Sequence, residues 1–525
     1  MMQPSTSPLL HDSYDAVVVG AGHNGLTTAT YLARAGLRTL LVEARSEVGG
    51  TAASDTFAGC RVNICNCDHL AVRTNPLIEE LQLHKHGLEY IDIEPAQING
   101  SWHSDNWWPS FHDLERTCEA LSRVLPHEVN NYRRYVADAL PVISLILDNA
   151  NDIPSRRKLL SNTARRRGRG VTRLLQWSRS SAAEVLESYF TSPEIIGPAL
   201  VEGPTVWGVS PHTPHTGLGA ITLAMRHAAQ VGRPVGGSGA LPNALLSAYE
   251  SFGGHLLLAS PVTAILCEDQ LLYGIELADG RVIRSRTVIS ACNPHDTFVK
   301  WLKGAPSSAN TFIERWRTNP QSQGYESKID AVFHGDIQYK ALQHDRYQDV
   351  LTHHEGCTFV IAPNTQELHE GHMKMATGQI LAHPAFLANT PTLTDSTLAP
   401  PGTNILSLEA LFTPYNFVDG WESRAEPSRW LSLFDTLLTE PLTPRISSWR
   451  VKTPAHYETE FFLPQGHATS FAGGPMSIFF SQQPELSRYT TPIKNLYITG
   501  AATFPGAGVW GSSGRNAAQV VLRNL

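Results

Sequence analysis

The 525-residue sequence has little of what marks several large classes of protein. Nowhere do about 18 apolar residues run together, which removes a membrane-spanning helix from the expectations. Residues Met1 to Asp15 lack a basic start followed by an apolar core, so no secretory leader is expected. The 7 cysteines are odd in number and follow no repeating spacing; they do not make a disulfide framework and are expected as reduced thiols in a cytoplasm. Nor is there a basic excess. With 41 Lys and Arg against 48 Asp and Glu, the formal charge of -7 has the wrong sign for a protein that draws its affinity from neutralising phosphates, so nucleic acid is not an expected partner. What remains is an ordinary globular composition, 42% hydrophobic and 17% charged. A prior of roughly 150 residues per domain gives about two to four domains.

The chemistry begins near the N-terminus. Asp15–Val19 is a short apolar run of the kind buried parallel strands show, and it leads straight into Gly20-Ala21-Gly22-His23-Asn24-Gly25, a GxGxxG. A helical stretch follows, stopping at Gly36, and a second strand, Arg38–Val42, ends in Glu43. Each glycine has a physical reason to be there. Gly20 permits the tight turn, Gly22 lets backbone approach a pyrophosphate, and Gly25 allows close helix-to-strand packing. The helix N-terminus, at His23 and Asn24, offers unpaired N–H groups to the phosphates. Glu43, followed by Ala44 and Arg45, is placed to accept hydrogen bonds from ribose hydroxyls, and its charge disfavours a 2′-phosphate.

Strand, glycine loop and helix recur at the other end, in Asn495–Gly500, then Ala501 through Gly508, Val509, Trp510 and Gly511, then a final helix from about Arg515. Between the ends, Arg233–Leu241 carries another glycine cluster, Leu272–Gly280 reads as part of a hairpin, and Thr287–Asn293 reads as a buried strand.

These blocks, in this order, resemble the phytoene desaturase and carotene ketolase branch of the amine-oxidase-like flavoproteins. The likeness spans nearly the whole chain and rests on Gly20–Gly25, on Val48-Gly49-Gly50-Thr51, on Asn63–His69 and on Pro505–Asn516. It implies FAD as the cofactor and an α/β fold: a Rossmann-like FAD domain built from 1–75, 233–300 and 490–525, with an inserted α+β substrate domain at 76–232 and 301–489. By the same resemblance, Gly49, Gly50 and Thr51 approach the flavin side of the cofactor, the backbone at Val262 meets the adenine, and Gly500, Ala501, Gly508, Val509 and Gly511 face the flavin. A helix N-terminus there suits negative charge on a reduced ring.

The substrate region carries no fingerprint. A strand through Arg61–His69 would put Asn63, Cys65, Cys67 and His69 on one face, able to line the flavin cleft, with covalent FAD attachment through His69 or a cysteine as an alternative. His69, His467 and Trp510 are the candidates for groups beside the reacting atoms, and no metal site is expected. Trp102, Trp107 and Trp108 could stack on substrate, and Phe461, Phe462, Phe471 and Phe479 could form an apolar wall. Residues 154–183 hold nine Lys or Arg and no Asp or Glu, with Leu159, Leu160, Val171, Leu174, Leu175 and Trp177 interleaved, a pattern that suits a lid or a peripheral membrane contact. The expected function is an FAD-dependent dehydrogenase or oxidase acting on a lipophilic or aromatic small molecule. Its rivals are a ketolase-like oxygenase, a redox-neutral isomerase and, from another class, a non-catalytic lipid-binding escort. Oligomeric state is not legible.

Overall fold

Every residue of Ala16–Val19, Thr39–Val42 and Val288–Ser290 is buried, as strands covered on both faces must be. In the computed structural model, which describes residues 11–65, 68–268, 271–347, 351, 356–467 and 482–525, these runs sit in one five-stranded parallel sheet. Its order is His255–Leu257, Thr39–Val42, Ala16–Val19, Val288–Ser290, Leu496–Ile498, so three separated stretches of chain build a single Rossmann-like layer. The helix His23–Arg34 covers it and is crossed closely by the C-terminal helix Ser512–Asn524. At the crossing Thr28 Oγ1 donates to the Gly514 carbonyl at 3.0 Å, and a Cβ on Gly514 would stand 2.2 Å from the Asn24 oxygen. The final helix begins at Ser512 rather than Arg515, because Gly511 takes a φ of +70° and caps it there. A second five-stranded sheet carries the hairpin Val262–Glu268 and Leu271–Leu277.

The third sheet has seven strands, in the order Ile446–Lys452, Glu326–His334, Thr403–Leu411, Phe386–Asn389, Thr358–Ala362, Gln97–Ser101, Ser104–Ser110. Side chains alternate across it. One face presents Ile329, Ala331, Phe333, Leu406, Leu408 and Ala410 to Trp430 and Phe434 of the helix Ala425–Asp435, forming an apolar core. The opposite face is polar at its centre, with Glu326, Lys328 and Asp330 on one strand and Ser407 and Glu409 on its neighbour.

Several expectations are corrected here. Trp107 and Trp108 are 2% and 0% exposed and pack in two different cores, so they do not present themselves for stacking on substrate. The strand at Cys60 ends at Asn63, where its pairing with Ser54–Phe57 stops, and does not continue to His69; Cys67 lies outside the described residues. The basic stretch is two helices, Arg156–Arg165 and Val171–Trp177, broken where Gly168 and Gly170 adopt positive φ. Its Leu159, Leu174 and Trp177 turn inward, leaving Leu160 68% exposed. Asp148 pairs with Arg165 and Arg166, Asp138 with Arg173 and Asp152 with Lys158, so much of the charge is met from the preceding helix and its end.

Candidate active site

The GxGxxG loop is built as its glycines require. Gly20 has a φ of +96°, and a Cβ on it would lie 2.9 Å from the Cys292 Sγ. A Cβ on Gly25 would stand 1.9 Å from the Gly20 carbonyl oxygen, so only hydrogen fits between helix and turn. Gly22 differs: its φ of -65° is open to any residue, and a Cβ there would meet nothing within 4 Å. It borders open space. Gly22 bridges in parallel to Gly49, the Gly49 N–H donates to the Ala21 carbonyl at 2.8 Å, and a Cβ on Gly50, at φ +55°, would stand 3.3 Å from the Gly22 Cα. The glycine doublet therefore closes the cradle beside the helix N-terminus, with Thr51 following in a short 3-10 turn.

Glu43 ends its strand 8% exposed, accepting from the Ala21 N–H at 2.6 Å and the Arg45 N–H at 2.9 Å. Burial pushes its carboxyl up, and those two donors hold it down in part. Its carbonyl accepts from Ser260 N and that of Arg45 from Ala259 N, which brings the start of the Val262 strand next to Ala44 and Arg45. Three buried polar atoms of this stretch lack a protein partner among the described residues: His23 Nε2, Asn24 Oδ1 and Arg45 Nη1. Buried polar groups are ordinarily paired. Orphans gathered around an open glycine cradle fit a polyphosphate ligand with sugar hydroxyls, and FAD supplies both.

At the far end, Ser513 Oγ accepts from Gly500 N at 3.1 Å and is hydrogen-bonded to Thr499 Oγ1 at 2.8 Å, tying the second glycine loop to the first turn of the C-terminal helix. In the segment that follows, 501–509, Gly508 is exposed and its carbonyl lies beside His23. Trp510 is half-buried, its indole N–H donating to the Ala507 carbonyl at 3.0 Å.

His69 is 0% exposed, and both ring nitrogens are engaged, with Tyr90 OH at 2.9 Å and Ser238 Oγ at 2.8 Å. Its main chain also bridges to Gly232. This geometry holds the Arg233–Gly239 loop and leaves no lone pair for substrate. His467 is half-buried with its ring 5.4 Å from that of Tyr325, a residue of the seven-stranded sheet region. Phe461 lies under the Arg45 guanidinium at 4.3 Å, Phe462 is exposed, and Phe471 and Phe479 lie outside the described residues. The polar face of that sheet belongs to no motif of the sequence. Lys328 Nζ donates to the Asn63 carbonyl at 2.9 Å, and Asn63 Oδ1 in turn accepts from Ser238 N at 2.8 Å. The alternation Glu326, Lys328, Asp330 is its only signal along the chain.

Two family models match: an NAD(P)-binding Rossmann-like domain over residues 18–74 and a flavin containing amine oxidoreductase over residues 111–320. The phytoene desaturase (lycopene-forming) of Pseudescherichia vulneris is 26% identical, over 97% of this chain and 99% of its own. This chain is an FAD-dependent oxidoreductase, and it is similar to the phytoene desaturases. One component of the limonene dehydrogenase of Castellaniella defragrans is 27% identical, over 97% of this flavoprotein and 95% of its own length. The fold is shared with an oxidoreductase from Methanosarcina mazei, at a TM-score of 0.61 and 16% identity over 97% of this chain and 99% of that one.

The buried titratable groups make stability depend on pH in both directions. Burial lowers His23 to about 4, His69 to about 3 and His467 to about 4, so below the ordinary 6.5 an unfolded chain takes up protons that the folded one refuses. These three groups cost stability as pH falls. Glu43, Glu326 and Glu409 are raised by burial, so above the ordinary 4.5 the folded chain keeps protons that the unfolded one has lost, and stability falls as pH rises. Between 4.5 and 6.5 the two sets oppose each other. Denaturation midpoints measured across the pH range should therefore peak in that mildly acidic window and decline on both sides, by about 1.4 kcal/mol per pH unit for each uncompensated proton. A profile still rising above neutrality would contradict the burial of these carboxyls.

Proposed function

We propose that the protein dehydrogenates a lipophilic or aromatic small molecule, removing a hydride and a proton from neighbouring atoms to leave a double bond. The observation that carries this reading is that the hairpin leaving the glycine doublet, the Arg233–Gly239 loop and the polar face of the seven-stranded sheet are joined by one hydrogen-bonded chain, Ser238 to Asn63 to Lys328. When bound, FAD supplies the hydride acceptor. The chain's own residues do the rest. Backbone at Gly22, Gly49 and Gly50 admits the phosphates, Glu43 orients a ribose, and Gly500, Gly508, Val509 and Trp510 wall the opening next to the C-terminal helix. An apolar layer built on Val129–Ala150 and Pro193–Glu202, packed against the sheet, keeps water away. Names of relatives that act on phytoene and limonene support an apolar substrate. Product mass tests the reaction type. Loss of two hydrogens is the expected result; an unchanged mass would support an isomerase, and a gain of oxygen a ketolase.

An apolar substrate also gives meaning to the exposed Leu160, in the same stretch of sequence as Arg157, Arg167, Arg169 and Arg179, none of which has an ion-pair partner among the described residues. This patch suits an anionic lipid surface. Reversing Arg157, Arg167 and Arg169 to Glu should weaken co-sedimentation with anionic vesicles by about a hundredfold, at about 1 kcal/mol per basic residue lost. Unchanged co-sedimentation would make the patch plain surface.

A further inference from the structure

The polar face of the seven-stranded sheet holds more acid than its cations can meet. Glu326, Lys328 and Asp330 alternate along one strand, and Glu409 stands directly opposite Lys328 on the next. That pairing should give a salt bridge. Instead the Lys328 ammonium turns to Asp330 and to the Asn63 carbonyl. Three further cations of this region are committed as well: Arg450 to Asp330 and Asp55, Lys452 to Glu460, and Arg233 to Asp68. Among the described residues the Glu326 carboxylate accepts only a thiol, from Cys65 at 3.6 Å, and that thiol also reaches Tyr457 OH at 4.0 Å. Glu409 is 6% exposed, and its carboxylate has no hydrogen-bond partner and no ion pair among the described residues.

A buried, unpaired carboxylate is costly, commonly by several kcal/mol. Two carboxylates facing one site resolve the cost by keeping a proton between them. We propose that Glu326 and Glu409 share one proton, and that Glu409 is the catalytic residue that takes the second proton of the dehydrogenation, with Glu326 as its positioning partner. The location supports this, because Lys328 and Asn63 connect the same sheet face to the hairpin that leaves the glycine doublet. Burial raises both carboxyls, and the charge of Glu326 raises Glu409 further. Lys328 lowers both, while Asp330 and Asp68 push Glu409 up. The phenols of Tyr325 and Tyr457 are themselves raised by burial and stay neutral, as does the Cys65 thiol. The step balances. One substrate C–H bond gives its proton to the Glu409 oxygen and leaves its electron pair in the new double bond. The neighbouring hydrogen would leave with its own pair to the hydride acceptor that FAD would supply when bound, and the dyad, then doubly protonated, would later return one proton to water.

The catalytic part rests on the dehydrogenase reading, whereas the shared proton does not, so two measurements separate them. Infrared spectra of the FAD-loaded protein in water and in heavy water should show a protonated carboxyl C=O stretch that persists above neutral pH and shifts on deuteration. Glu409→Gln, an isosteric change, should remove it. Absence of the band in the wild type overturns the dyad, with no variant needed. With a substrate that reduces the wild-type flavin anaerobically, Glu409→Gln should slow reduction by about a hundredfold or more while leaving substrate affinity and the flavin spectrum unchanged. A rate within about threefold of wild type, with the band present, overturns the catalytic assignment while leaving the shared proton standing. Failure of every lipophilic candidate to reduce the wild type counts against the dehydrogenase reading, and with it against the catalytic role of Glu409.

Discussion

Gly22→Val yields a folded protein that does not retain FAD. The backbone at Gly22 is extended and open to valine without strain, and a Cβ there touches no protein atom within 4 Å. The fold therefore has nothing to lose. The space the valine fills is the one that the Gly22–Gly49 bridge and the first turn of His23–Arg34 leave open for a pyrophosphate. Approach of a phosphate to within hydrogen-bond distance of the helix N–H groups becomes impossible, and those contacts are what the loop offers. Cofactor affinity should drop by about a hundredfold or more, about 2.7 kcal/mol, with the circular dichroism and the cooperativity of unfolding retained. Flavin content after gel filtration reads the result directly. Normal retention in the folded variant would move the phosphate site away from Gly22.

Gly25→Val, three residues on, fails in the opposite way. Its Cβ would sit 1.9 Å from the Gly20 oxygen and 3.0 Å from the Ala291 Cβ, contacts with backbone and with a neighbouring strand end that no rotamer relieves. Helix and sheet must separate to admit it, and both are buried where they meet. Overpacking of a close-packed core costs typically 1–3 kcal/mol, and about that or more is expected where backbone is struck. The variant should be insoluble or unfold several degrees earlier with or without added FAD. If it were as stable as wild type, the packing described at the first crossover would be wrong. Two glycines of one motif thus separate ligand space from packing space.

What the sequence made legible was what local chain geometry decides. Gly20, Gly22 and Gly25 each occupy a conformation or a clearance that the spacing GxGxxG anticipates, and Glu43 follows from the strand that ends there. The C-terminal glycine loop was readable for the same reason, although its helix begins at Ser512. Contacts made by distant pairing were not legible. Glu409 opposes Lys328 only because two strands run antiparallel in one register, and neither segment alone shows that the lysine turns away from it. Trp107 and Trp108 invited a stacking role from their polar surroundings, yet strand alternation sends them into opposite cores. The basic stretch was visible as charge, but Asp138 and Asp148, which neutralise part of it, lie on the helix before it. His69 looked like a cleft residue because the strand seemed to continue. The chain bends after Asn63, and Tyr90 and Ser238, from remote parts of the sequence, take both its nitrogens.

The most direct test is an anaerobic titration of the FAD-loaded protein with a panel of lipophilic and aromatic candidates, followed by product mass. One compound should bleach the flavin stoichiometrically and leave as a product two hydrogens lighter. A compound converted in the dark, without bleaching and at unchanged mass, would contradict dehydrogenation and make the flavin a structural or redox-neutral partner instead.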